Sequence, residues 1–70
     1  MHARLHLKSS DTVVIEDLKV IKKKKDRDAH VEEINDFTNF FFSASCYYSF
    51  IGKNVVSLSG DDLLWVEFVN

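Results

Sequence analysis

The run Tyr47-Tyr48-Ser49-Phe50-Ile51-Gly52-Lys53-Asn54-Val55-Val56-Ser57-Leu58-Ser59-Gly60-Asp61-Asp62-Leu63-Leu64-Trp65-Val66-Glu67-Phe68 reads as three strands separated by two turns. The turns, Gly52-Lys53-Asn54 and Ser59-Gly60-Asp61-Asp62, hold both glycines of the chain. Glycine takes the positive φ that hairpin turns often require, and that is the role expected of each. The last strand, from Leu63 to Val69, is apolar on both faces, with Leu64, Val66 and Phe68 pointing one way and Leu63, Trp65, Glu67 and Val69 the other. Such a strand is central in a sheet, covered by another element, or part of an interface. Trp65 therefore has two readings: a core residue, the commoner place for it, or an interface anchor.

An earlier segment has the same pattern. Leu5, Leu7, Val13 and Ile15 each stand 43 positions before Tyr48, Phe50, Val56 and Leu58, and Leu18 and Ile21 stand 45 before Leu63 and Val66. Residues 4–8 alternate Leu with Arg, His and Lys, Ser9-Ser10-Asp11 supplies turn formers, and Thr12-Val13-Val14-Ile15-Glu16 resumes as a β-branched strand. After a break at Asp17, Leu18-Lys19-Val20-Ile21-Lys22 completes a hairpin-plus-strand unit like the later one. An internal duplication of a three-strand unit and the ordinary recurrence of β periodicity both account for the match.

Between the units, Lys22-Lys23-Lys24-Lys25-Asp26-Arg27-Asp28 is a charge run without apolar residues, read as a strand end entering an exposed turn. Beyond it, Val31, Ile34, Phe37 and Phe41 recur at helical spacing, with Asp28 placed to cap and Glu32 and Glu33 placed to oppose the helix dipole. This predicts a short helix within residues 29–41, ending near Asn39. Asn35, Asp36, Thr38 and Asn39 are poor helix formers and favour an irregular strand instead. The expected architecture is α+β but mostly β: a small antiparallel sheet or barrel-like domain of five to six short strands and one short helix, forming a single domain over residues 1–70.

At 70 residues the chain has little core to draw on, and small domains of this size lean on disulfides, metals or association. Cys46 is the only cysteine, so no intrachain disulfide forms, and a lone thiol suits a reducing compartment. The nine aromatics, all from Phe37 onward, can supply a packed core or a self-association surface, so an oligomer is among the expectations. With no apolar run approaching the ~20 residues of a membrane span and no signal-like N-terminus, a cytoplasmic protein is expected. The charge is divided. Residues 1–27 carry eight Lys or Arg against four acids, +4, whereas residues 28–70 carry one Lys against seven acids, −6.

No motif fixes a chemistry. His2, His6 and His30 lack the paired ligand spacing of a zinc site, so no metal or cofactor is expected. Cys46 has only His30 as a candidate base and reads as a buried or half-buried structural thiol. Glu32-Glu33 and Asp61-Asp62 are sequence neighbours whose side chains diverge in a regular element, unlike the facing carboxylates of a hydrolase cleft. Neither glycine belongs to a phosphate-cradling loop. An enzyme is not expected.

The pattern Tyr48-x-Phe50-x-Gly52, Val55-Val56-x-Leu58-x-Gly60, Asp62-Leu63-Leu64-x-Val66-Glu67-Phe68 resembles that of small strand-rich proteins encoded by temperate phages and prophages. The Leu7-Lys8-Ser9-Ser10 turn and Val13-x-Ile15 strand are similar to their N-terminal halves. Some proteins of that kind are anti-CRISPR or other anti-defence inhibitors, which bind a host nuclease and block its nucleic-acid site. The resemblance implies a protein-binding inhibitor in the host cytoplasm, its partner a CRISPR effector nuclease. On that reading Glu32, Glu33, Asp36, Asp61, Asp62 and Glu67 compete with nucleic acid for a basic groove, and exposed aromatics such as Trp65 anchor the contact. A second reading is a small β-sheet nucleic-acid binder using Lys22, Lys23, Lys24, Lys25 and Arg27. A third is a structural or assembly module whose aromatic surface makes an oligomer.

Overall fold

Period-two alternation shapes nearly the whole chain. The computed structural model describes residues 1–70 and contains seven strands: β1 His2–Leu7, β2 Thr12–Ile15, β3 Val20–Lys25, β4 Val31–Ile34, β5 Cys46–Ile51, β6 Val55–Ser59 and β7 Leu63–Val69. A single 3-10 turn, Gly60–Asp62, joins β6 to β7, with the Ser59 side chain accepting from the Asp61 N–H. The strands form two antiparallel sheets, ordered β2-β1-β7 and β4-β3-β5-β6, and no closed barrel results.

The two hairpins β1-β2 and β5-β6 are the ones the sequence announces, but their third strands change places. β3 leaves the first hairpin and pairs with β5, while β7 leaves the second and pairs with β1, so each sheet is completed by the other half of the chain. The hairpin registers also differ by two residues. Leu5 faces Val13, but Tyr48, its counterpart at an offset of 43, faces Leu58, and Phe50 faces Val56.

The exchange depends on a tight corner between β2 and β3. Asp17 adopts φ 50, Leu18 N–H donates to the Met1 carbonyl, and Lys19 N–H donates to the Ile51 carbonyl. Against this corner lies Gly52, where a Cβ would overlap the Glu16 carbonyl oxygen. Neither glycine has positive φ; that conformation belongs to Ser10, Asp17 and Arg27. The glycines thus serve close backbone approach, not turn dihedrals.

The helix expected within 29–41 is absent. Asp28 accepts through Oδ1 from the His30 N–H at 2.9 Å, a local turn and not a helix cap, and Val31–Ile34 pairs with β3 as a strand. Two forces favour this outcome: β-branched Val31 and Ile34 suit a pleated surface, and an unpaired β3 would leave its outer backbone groups without partners. The following residues make no regular element, and the strand total rises to seven from the five or six expected.

The core is nine residues: Ala3, Leu5, Ile15, Leu18, Ile21, Cys46, Tyr48, Phe50 and Leu63. It is extended by rings from the irregular segment. Phe40 meets Tyr48, Phe50 and Phe68 edge-on at centroid distances of 5.7, 6.0 and 5.8 Å, and Phe37 stacks on Phe68 at 5.4 Å. Phe40 therefore bridges the two sheets, touching β5 on one side and β7 on the other. Cys46 is buried, as a structural thiol would be.

Tyr48 adds a polar tie to this apolar center. Its hydroxyl accepts the Ser43 N–H at 2.7 Å, fastening the irregular segment to β5. Burial pushes its phenol above the ordinary value of 10.0; the Ser43 bond pulls the other way, and Cys46 and Glu32 add to the rise. A raised folded pKa means that the stabilisation is whole below pH 10 and is lost as pH climbs from there towards the folded value. Tyr48→Phe is expected to lower the melting temperature by about 4–8 °C, for loss of a hydrogen bond worth about 1 kcal/mol. It is also expected to remove part of the alkaline loss of stability above pH 10. Melting curves of both proteins across that range check both effects.

Candidate functional site

The acidic residues and Trp65 are distributed over several elements. Glu33 lies opposite Lys22 and Glu32 opposite Lys23 across the β3-β4 ladder, so successive strand alternation sends the two carboxylates to different faces. Asp36 is held locally, its Oδ1 accepting from the Thr38 N–H at 3.1 Å. Asp61 pairs with Lys8 at 3.4 Å, and the Asp62 carbonyl accepts the Lys8 N–H. Glu67 lies 3.7 Å from Arg4 and 3.5 Å from His6. The structure thus brings together Asp61, Asp62, Trp65 and Glu67 along the 3-10 turn and β7, and leaves Glu32, Glu33 and Asp36 on β4 and the segment after it.

β7 is itself irregular. His6 faces Trp65 but Leu7 faces Leu63, and the extra residue, Leu64, is 60% exposed. The bulge changes the face assignment: Leu63 is buried, while Leu64 leaves the side expected for it. Trp65 is 47% exposed and is not a core residue. It stacks on His6 with centroids 3.7 Å apart and planes within 3°. The histidine has Thr12 Oγ1 3.5 Å from Nδ1, while its Nε2 is buried 3.5 Å from Glu67 without forming a hydrogen bond. The indole is therefore a preoriented plate on the outer face of the three-stranded sheet. β7 is also the edge of that sheet, paired only with β1.

The basic run divides as well. Lys22 and Lys24 share a face with Tyr47 and Ser49, while Lys23 and Lys25 border a hollow with Asp28, His30 and Glu32. Arg27 sits in the turn beyond β3 at φ 64. The five positive charges do not form one patch. Lys22, Lys24, Val31, Tyr47, Ser49 and Ser57 line a groove of about 400 Å³ on the outer face of the four-stranded sheet, which Lys23 also borders.

No three His, Cys, Asp or Glu side chains gather as they would around a metal ion. No helix is long and apolar enough to cross a membrane. Comparison with known proteins returns no matching family model, curated protein or solved structure.

Leu64, His6 and Tyr47 are the residues that sequence reading passed over as candidates. Alternation alone puts Tyr47 opposite Tyr48, and with Tyr48 inward the outward ring follows; Leu64 and His6 acquire their roles only through the β1-β7 register.

Proposed function

We propose that this protein acts by binding another protein through the β7 edge and the adjoining 3-10 turn. The observation that carries this reading is the exposure of Leu64 and Trp65 side by side on an edge strand. Edge strands are ordinarily guarded by charge, proline or a covering segment, because their free backbone groups recruit other strands. An apolar pair left in such a place is a contact surface, and a tryptophan held rigidly by stacking loses little entropy when it is covered.

Asp61, Asp62 and Glu67 lie on the same turn and strand as that pair, three carboxylates against the two cations Lys8 and Arg4, and tip the surface towards negative. A basic partner is the complement, and the nucleic-acid groove of a nuclease is basic. This supports an inhibitor of anti-CRISPR type, working in the cytoplasm of a host cell by occupying the groove of an effector nuclease. The ion pairs to Lys8 and Arg4 are exposed and individually weak, so they yield readily to a partner's stronger field.

The test is cleavage by a panel of RNA-guided effector nucleases with and without the protein. One of them is expected to be inhibited, and Asp61→Asn, Asp62→Asn and Glu67→Gln together should slow association and relieve inhibition, most strongly at low salt. Failure to inhibit any nuclease, or inhibition untouched by the triple substitution, would refute the reading. Sizing of the protein alone decides the competing outcome, in which the same edge joins two copies of this chain.

A further inference from the structure

The groove on the outer face of the four-stranded sheet lies on a different sheet from β7 and has a different chemistry. Three rows of side chains cross it. Val20, Ile51 and Val55 form an apolar row; Glu33, Lys22, Ser49 and Ser57 form the next; Val31, Lys24, Tyr47 and Ser59 form the third. Ser49 and Ser57 hydroxyls bond to each other at 2.7 Å across β5 and β6.

Two features point to a ligand. Tyr47 is 48% exposed and, like Phe41 and Phe42, meets no other ring of the chain, and of these three it alone lines the groove. Lys24 is flanked in its row by Val31 and Tyr47, with no carboxylate across either strand, and neither Lys22 nor Lys24 has an acid within ion-pair distance. An aromatic ring without a ring partner, Lys24 with no facing carboxylate and Lys22 opposite Glu33 thus share one sheet face with the hydroxyls of Ser49, Ser57 and Ser59. The groove volume of about 400 Å³ lies in the range, about 300–1,000 Å³, of small-ligand sites.

We propose that this face binds single-stranded nucleic acid, one base stacking on Tyr47 and adjacent phosphates lying on Lys22 and Lys24. A flat ring recognises the face of an unpaired base, which a duplex keeps within its stack, and Lys24, directly across the ladder from Tyr47, places a cation beside that ring for the backbone. The serine hydroxyls donate to or accept from base and sugar edges. Glu33, the only carboxylate in these rows, lies opposite Lys22 at the β4 margin, so Lys24, which faces no carboxylate, is the stronger of the two phosphate contacts.

The experiment is fluorescence anisotropy with a labelled oligothymidylate, titrated at several salt concentrations. Binding is expected at low salt, with a log–log salt slope of about −1.4 for two phosphate contacts. Tyr47→Ala should weaken it about tenfold, Tyr47→Trp should retain it, and Lys22→Gln with Lys24→Gln should flatten the salt slope. All of these positions are on an exposed face, and melting curves establish that each variant is folded. Absence of binding at low salt overturns the proposal. So does a folded Tyr47→Ala variant that binds unchanged, or displacement of the oligonucleotide by heparin and by duplex DNA as readily as by unlabelled single strand, since either leaves only general attraction of polyanions.

Discussion

Phe50→Ala is expected to remove about half or more of the protein's stability. Phe50 is fully buried on β5, faces Ile21 on β3 and Val56 on β6, and lies against the rings of Phe40 and Tyr48. Removing a buried phenylalanine costs about 3–5 kcal/mol from lost transfer energy and the cavity left behind. A domain of this size has about 4–10 kcal/mol in total, and only nine side chains make its core. Phe40 cannot close the gap without losing its contacts with Phe68 on the other sheet. Circular dichroism should show a broad, low-temperature transition or none; a variant melting within a few degrees of the parent would mean that the two sheets do not depend on this center.

Gly60→Ala is expected to have the next largest effect. A Cβ there would overlap the Ser43 carbonyl oxygen and press on the Tyr48 ring at 3.0 Å. Neither neighbour moves freely: the Ser43 carbonyl accepts the Cys46 N–H, and Ser43 N–H donates to Tyr48. Overpacking of this kind costs about 1–3 kcal/mol, and the upper half of that range is expected because backbone must shift. In urea the midpoint should fall with the slope unchanged. An unchanged midpoint would show that the segment between β4 and β5 is not held against the 3-10 turn as described.

Much of this was legible in the sequence. Alternation located six strands, because Leu5, Leu7, Val13, Ile15, Tyr48 and Phe50 mark an inward face residue by residue. The seventh strand was hidden, since Val31, Ile34, Phe37 and Phe41 are spaced as helical positions although only Ile34 and Phe37 of them pack against the core. Periodicity assigns faces, not partners. It therefore could not disclose that β3 and β7 exchange hairpins, nor that β1 would supply His6 as the support for Trp65. The bulge at Leu64 is a property of the β1-β7 pairing and leaves no mark in a strand apolar on both faces. The lysine run is the strand end entering a turn that the sequence suggests, but four identical residues carry no face marker of their own, and the partners Glu32, Glu33, Tyr47 and Tyr48 show which way each one points.

Of the candidate residues, Asp61, Asp62, Trp65 and Glu67 lie on the 3-10 turn and β7, whereas Glu32 and Glu33 lie on β4 and Asp36 in the segment after it. The proposed contact surface is accordingly the β7 edge, with the indole of Trp65 stacked on His6.

Trp65→Ala tests that edge most directly, with thermal unfolding and nuclease inhibition measured on the same sample. Unfolding should remain cooperative with a similar midpoint, because the indole is half exposed, while inhibition weakens by about 30-fold or more, the loss of a hot-spot contact of at least about 2 kcal/mol. A variant that unfolds readily yet inhibits as well as the parent when folded would contradict the assignment, placing Trp65 in the structure of the domain and the binding surface elsewhere.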